Sequence, residues 1–149
     1  MILYIDANII LNVWRGEKDP KTGKELWKGS GKLLERIELE EEQGIIGITT
    51  VMEVLHAVRV GAMEKGLDWR EEVDKAIDKL RKYGLDFVIP SDVIMANSFT
   101  YFMDRQLDPY DAVAISIALH ESVDVFVSRD GKLRRKTVRL IDVKEPEEL

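Results

Sequence analysis

Cysteine is absent from this chain, which excludes disulfides, thiolate metal sites and a cysteine nucleophile. Histidine is nearly absent: His56 and His120 are the only two, so a metal site built on imidazoles is not expected. Any metal must then be held mainly by oxygen, which selects hard ions such as Mg2+ or Mn2+. Long apolar runs are missing too, and none approaches the roughly 20 residues that a membrane span needs. The start, Met1-Ile2-Leu3-Tyr4-Ile5-Asp6, carries no basic leader and too short an apolar run for a signal peptide. A soluble, cytoplasmic protein with no membrane association is therefore expected. Excess basic charge is lacking as well. A net charge of -6 argues against a surface coated for non-specific nucleic-acid binding. It leaves room for acids gathered at a metal with bases elsewhere, and equally for a basic protein partner.

What is present suits one compact domain over residues 1–149, with 45% hydrophobic residues to build its core. No repeat, low-complexity tract or linker divides it. Charged residues reach 34% while Asn and Gln are scarce, a balance found on thermophile surfaces.

Apolar runs and helical periodicities alternate along the chain. Ile2 to Ile5 reads as a buried strand ending in Asp6, followed by a short helix through Trp14. Gly16 to Gly29, with Asp19-Pro20, Thr22-Gly23 and its lysines, reads as an exposed excursion. Ser30 is expected to open a helix whose face is Leu33, Leu34 and Ile37. Ile45 to Ile48 reads as the second strand and Thr50 to Lys65 as the next helix, with Val51, Val54, Leu55, Val58 and Ala62 as its stripe. A helix from Asp68 to Tyr83 stops at Gly84. Asp86 to Ile89 reads as the third strand, and Ser91 starts a helix to about Gln106. Asp108-Pro109 begins a helix that is apolar on nearly every side from Ala112 to Leu119, as if packed on two faces. Val123 to Val127 and Val138 to Ile141 read as the fourth and fifth strands. Such alternation predicts an α/β fold: a three-layer α/β/α sandwich around a mostly parallel central sheet of four to five strands.

Four acids occupy equivalent places in that pattern. Asp6 ends the first strand, and Asp130 follows the fourth after Ser128-Arg129. Glu53 and Asp111 lie in the first turns of helices. Strand C-ends and helix N-ends share one edge of a parallel sheet, where open α/β sheets bind ligands. Each acid also has a plain structural reading. Asp6 can cap a helix, and Thr50-Val51-Met52-Glu53 matches a capping box. Asp111 is a favourable first-turn acid behind Asp108-Pro109, and Asp130-Gly131 is a turn dipeptide. Together, however, four acids at one edge would repel one another and raise their pKa values unless a cation neutralised them. A divalent ion there would polarise a phosphoryl oxygen and activate a bound water, and the nearby helix N-termini would favour the phosphate.

On these residues the chain resembles the PIN-domain ribonucleases, and most of all the small VapC-type toxins. The matching pieces are Tyr4-Ile5-Asp6-Ala7-Asn8-Ile9, Thr49-Thr50-Val51-Met52-Glu53-Val54, Asp111-Ala112-Val113-Ala114-Ile115-Ser116-Ile117-Ala118 and Val127-Ser128-Arg129-Asp130. No piece is specific alone; their order and their places on strands or helices agree over nearly the whole chain. The resemblance implies a PIN-like fold in which Asp6, Glu53, Asp111 and Asp130 bind one or two Mg2+ or Mn2+ ions and cleave RNA. It implies supporting roles for Asn8 and Ser128, although Ser128 reads equally as a turn hydroxyl. It further implies a homodimer silenced by a small antitoxin protein. Lys132 stands where such proteins often carry a further acid, and the Gly16 to Gly29 excursion is longer than in the simplest members.

Arg129, Lys132, Arg134, Arg135, Lys136 and Arg139 form a basic run beside Asp130. It reads either as a solvated loop or as a patch that grips the RNA backbone. His56, one turn after Glu53, reads as an ordinary helix residue, and Trp14, Trp27 and Trp69 as packing residues. A haloacid-dehalogenase-type phosphatase would need Asp where Asn8 stands, and a receiver domain would need an acidic pair after the first strand. The alternatives left are a housekeeping RNA-processing nuclease and a non-catalytic PIN-like binding module.

Overall fold

The computed structural model describes residues 1–149. In chain order the elements are β1 (Ile2–Ile5), α1 (Ala7–Arg15), α2 (Leu26–Glu38), β2 (Gln43–Gly47), α3 (Ile48–Glu64) and α4 (Trp69–Lys82). There follow β3 (Asp86–Val88), α5 (Asp92–Arg105), α6 (Pro109–His120), β4 (Val125–Val127), α7 (Gly131–Lys136), β5 (Val143–Lys144) and a 3₁₀ turn over Pro146–Glu148. No helix is long and apolar enough to cross a membrane.

All five strands run parallel in the order β3-β2-β1-β4-β5. Side chains alternate between the two faces of a strand, and the core divides accordingly. Leu3 and Ile5 of β1 join Ile46, Val125 and Val127 in one cluster, beneath Ile9 and Ile10 of α1, Leu33, Leu34 and Ile37 of α2 and Val54 of α3. Tyr4 joins Ile45, Phe126 and Val143 in the other, covered by Ile94 of α5, most of α6 and Leu133 of α7. This is the three-layer arrangement implied by the alternating pattern, with every strand parallel. The apolar girth of α6 has its reason here, since Ala112 through Ala118 are buried without interruption.

Several boundaries differ from the sequence reading, and three of the differences change what a residue does. Helix α2 begins at Leu26, so Ser30 lies inside it, fully buried rather than capping. Its hydroxyl donates to Asn12 Oδ1, a tertiary bond that turn and cap rules do not reveal.

Helix α3 begins at Ile48 with Gly47 as its N-cap, so the capping box expected at Thr50 and Glu53 does not exist. The Thr50 hydroxyl instead bonds the buried Tyr4 hydroxyl at 2.7 Å, and Tyr4 also accepts from the Gly47 amide at 3.1 Å. A Cβ at position 47 would fall 2.7 Å from the Tyr4 hydroxyl and 2.6 Å from Ile117 Cδ1. Close packing therefore demands glycine at the strand-to-helix corner.

The fifth strand is Val143–Lys144, not Val138 to Ile141. Thr137 closes α7 by donating to the Leu133 carbonyl at 2.9 Å, and Arg139 takes a left-handed φ of 64°. The apolar run from 138 is thus spent in a turn before β4 can be reached.

Candidate active site

The strand order reverses at β1. The chain steps outward through β2 to β3, then returns to place β4 on the other side of β1. Such switch points open a crevice beyond the strand C-ends. Asp6 leaves β1 at that crevice, and its amide donates to the Val127 carbonyl at 3.1 Å. Asp130 leaves the adjacent β4 two residues after Ser128.

Asp6 is the most constrained of the acids. Its Oδ1 accepts from the Ala7 amide at 2.8 Å, which makes it the N-cap of α1. Its Oδ2 accepts from Asn8 Nδ2 at 2.8 Å and from Ser128 Oγ at 2.5 Å. Burial raises its pKa despite these bonds, and the charge of Asp130 adds to the rise. Asn8 Nδ2 also donates to Ser128 Oγ at 3.0 Å, and that same oxygen accepts from the Asp130 amide at 3.0 Å. Asn8 and Ser128 thus tie the ends of β1 and β4 together. Ser128 also bends the chain locally, so its two readings coexist.

Asp130 caps α7, its Oδ1 accepting from the amides of Lys132 at 2.8 Å and Leu133 at 3.1 Å. Its capping role is therefore real, and it leaves Oδ2 outside the cap. Glu53 projects from α3, where desolvation followed by repulsion from Asp6 and Asp111 pushes its pKa up to about 7. Asp111, in the first turn of α6, is pushed up to about 6 by desolvation and then by Asp6, Asp130 and Asp108, with Lys136 opposing. Glu53 therefore feels the charge of Asp6 and Asp111, and Asp111 that of Asp6 and Asp130.

Oxygen donors under mutual repulsion suit a divalent cation. Thr49 Oγ1, one helical turn before Glu53, is buried without a hydrogen-bond partner. No three His, Asp or Glu side chains are drawn into a ready-made metal-binding group. A cation here would then take one or two carboxylates directly and reach the others through water, as Mg2+ usually does.

The basic run divides. Residues 131–136 are helix α7, not a loop. Arg129 is withdrawn from solvent, its side chain only 9% exposed and paired with Glu145 and Glu147. Arg134 is held by both oxygens of Glu148, at 3.1 and 2.9 Å. Lys132 and Arg135 remain exposed.

Sequence reasoning missed Lys136 as a group that tunes Asp111, because α7 comes near the start of α6 only in three dimensions; the influence of Asp108, three residues before Asp111, was legible from the spacing. Asn12, buried on α1, was missed as well. His56 stays out of the cluster, exposed on α3 beside Arg59.

The fold is thus a parallel α/β sandwich with acidic residues at its switch point. The PIN domain family model matches residues 3–138, and the chain belongs to that family. No curated protein sequence matches it. Among solved structures it is similar to a toxin–antitoxin complex from Klebsiella pneumoniae, with 18% identity, TM-score 0.66 and 97% of each chain covered. It is similar to VapBC-1 from nontypeable Haemophilus influenzae, with 16% identity, TM-score 0.66 and 99% of each chain covered. VapBC2 from Rickettsia felis, bound to a promoter DNA fragment, shares 15% identity and a TM-score of 0.67, over 97% of this chain and 98% of that one.

Proposed function

We propose that this chain is a divalent-metal-dependent endoribonuclease and the toxin of a VapC-type toxin–antitoxin pair. What supports the activity is the charge coupling among Asp6, Glu53, Asp111 and Asp130, where burial and mutual repulsion push Glu53 up to about 7 and Asp111 up to about 6. Family membership supports phosphodiester hydrolysis as the chemistry. The ion, Mg2+ or Mn2+, would neutralise the cluster and supply an activated water.

The chain's own residues do the rest. Ser128 and Asn8 fix the direction of Asp6 through bonds to its Oδ2. Glu53, whose charge is opposed by burial and by Asp6 and Asp111, would hold the ion or one of its bound waters. Lys132 and Arg135 on α7 are the backbone-gripping groups that remain exposed.

The toxin role rests on neighbours that are toxin–antitoxin complexes and are covered nearly end to end. Two exposed apolar surfaces suit its two protein contacts. One is a groove of about 430 Å³ lined by Ile48, Met52, Leu55, Leu85 and Phe87, which we assign to the antitoxin. The other is the α5 face with Phe99, Phe102 and Met103, which we assign to a homodimer.

The test is cleavage of mixed structured and single-stranded RNAs with Mg2+, with Mn2+ and with chelator, beside Asp6→Asn and Glu53→Gln. Asn still caps a helix and position 53 has no capping role, so both variants should fold. Metal-dependent cleavage that falls by about 100-fold or more in each is expected. Neither cleavage nor metal binding by the parent protein would leave the binding-module reading in its place.

A further inference from the structure

Arg129 was expected at the surface and is one of the most heavily bonded side chains in the molecule. Its Nε donates to Asn12 Oδ1 at 2.8 Å, and Nη1 to Glu145 Oε2 at 3.1 Å and Glu147 Oε2 at 2.9 Å. Nη2 donates to the Leu26 carbonyl at 3.0 Å, Ser30 Oγ at 3.3 Å and Glu147 Oε1 at 2.9 Å. All three guanidinium nitrogens are thereby engaged, and Glu147 receives both arms of the fork. Such bidentate pairing fixes geometry as well as charge.

The backbone of the same residue faces the acids. The Arg129 amide donates to Asn8 Oδ1 at 3.3 Å. Asn8 in turn holds Asp6 Oδ2 and Ser128 Oγ through its Nδ2. Residue 129 therefore joins two systems, the Asp6–Asn8–Ser128 bonds on one side and the α1, α2 and 3₁₀-turn contacts on the other.

We propose that Arg129 is a positioning residue of the active site, clamped by Glu147 and Glu145 so that the bend Ser128–Asp130 and the Asn8 amide hold Asp6 in one orientation. The proposal rests on the nuclease reading and deepens it. It gives the excursion after α1 a role, because Leu26 and Ser30 at the start of α2 form one wall of the Arg129 site. Lys24, on the same excursion, reaches Glu147 at 3.5 Å.

One substitution separates clamping from stability. A Cβ on Gly29 of α2 would run into Oε1 of Glu147 and fall 2.6 Å from its carboxyl carbon. That carboxylate ends a flexible side chain and can swing away, while Ala favours helix over Gly. Gly29→Ala thus displaces the Glu147 clamp without touching Arg129 or any of Asp6, Glu53, Asp111 and Asp130. Arg129→Lys is the second variant, since it keeps the charge but loses the fork.

The experiment measures the thermal midpoint, Mn2+ affinity, kcat and KM for RNA, and amide hydrogen exchange at Ser128 to Asp130, in the full chain. In Gly29→Ala the thermal midpoint should change little, because the helix gains from alanine and Arg129 keeps Glu145, Asn12, Leu26 and Ser30. Mn2+ affinity and kcat should each drop by roughly 10-fold, the size seen when groups that orient metal ligands are lost. KM should stay within about 2-fold, and exchange at the bend should quicken. Arg129→Lys should show the same losses. Combined with Asn8→Ala it should add less than the sum of the two, because both act on one network. A raised KM with kcat intact would make Arg129 an RNA contact and overturn the proposal. So would Mn2+ affinity, kcat and exchange unchanged in both variants. If the parent protein neither binds Mn2+ nor cleaves, the nuclease reading fails, and the exchange measurement alone then decides whether the clamp holds the bend.

Discussion

Glu53 and Asp111 differ from Asp6 in what opposes their charge. Three donors bond the Asp6 carboxylate, whereas burial and neighbouring acids dominate at Glu53 and Asp111. Their pKa values of about 7 and about 6 lie above the ordinary carboxylate range. The native state therefore binds protons there that the unfolded chain has released, and stability falls as pH rises from about 4.5 through 7. Glu42, Glu147 and Glu148 are shifted the opposite way by their cationic and amide partners, so their contribution is complete above the usual carboxylate pKa and is lost in acid. Thermal unfolding in chelator should accordingly show a midpoint that declines between pH 5 and pH 8, on the scale set by these pKa values. Glu53→Gln should flatten that decline, and Mn2+ should restore the parent's midpoint at the alkaline end. A midpoint that climbs over the same span would show that the acids are not in repulsion. The sequence shows where these acids lie along the chain. It does not show that Lys136 stands near Asp111 while Arg129 is taken up by Glu145 and Glu147.

At the scale of elements, the position of Glu53 depends on the register of α3 against β1. Tyr4 stacks on Phe126 with ring centroids 4.6 Å apart, and its hydroxyl pins both Gly47 and Thr50. Tyr4→Phe keeps the stacking but strands the buried Gly47 amide and the Thr50 hydroxyl. It should cost about 1–3 kcal/mol in urea unfolding, the penalty for buried polar groups left unpaired. The corner that places Glu53 should loosen as well, and kcat should fall more than KM changes. A loss well under 0.5 kcal/mol, the scale of surface substitutions, would mean that water or a rearranged Thr50 replaces the bond. Helix and strand identities were legible from periodicity because each buries one stripe or face. The start of α3 was not legible, since Thr50 followed by Glu53 imitates a cap whenever the partner of the threonine lies 46 residues away.

For the whole molecule, five parallel strands place every helix N-terminus and strand C-end of the crossover units on one edge, and the switch at β1 opens that edge as a crevice. The remaining surface is not uniform. On α5, Phe99 is 66% exposed and Met103 71% exposed, with Phe102 and Tyr110 nearby in the chain. Apolar surface of this kind marks an interaction face. Phe99→Glu with Met103→Glu should turn a dimeric parent into a monomer by light scattering, while the thermal midpoint measured at low concentration changes little. A parent that is monomeric at all concentrations would remove the homodimer from the proposal.

Composition and pattern alone determined the layered parallel fold and where the four acids lie along the chain, because strand-and-helix alternation and strand-end carboxylates are local properties of the chain. Tertiary structure alone decided which charges meet. It buried Arg129 against Glu145 and Glu147, placed Ser30 inside a helix, and replaced the cap at Thr50 with a bond to Tyr4. Those outcomes depend on contacts between residues far apart in sequence, whose desolvation and hydrogen bonding no local spacing encodes.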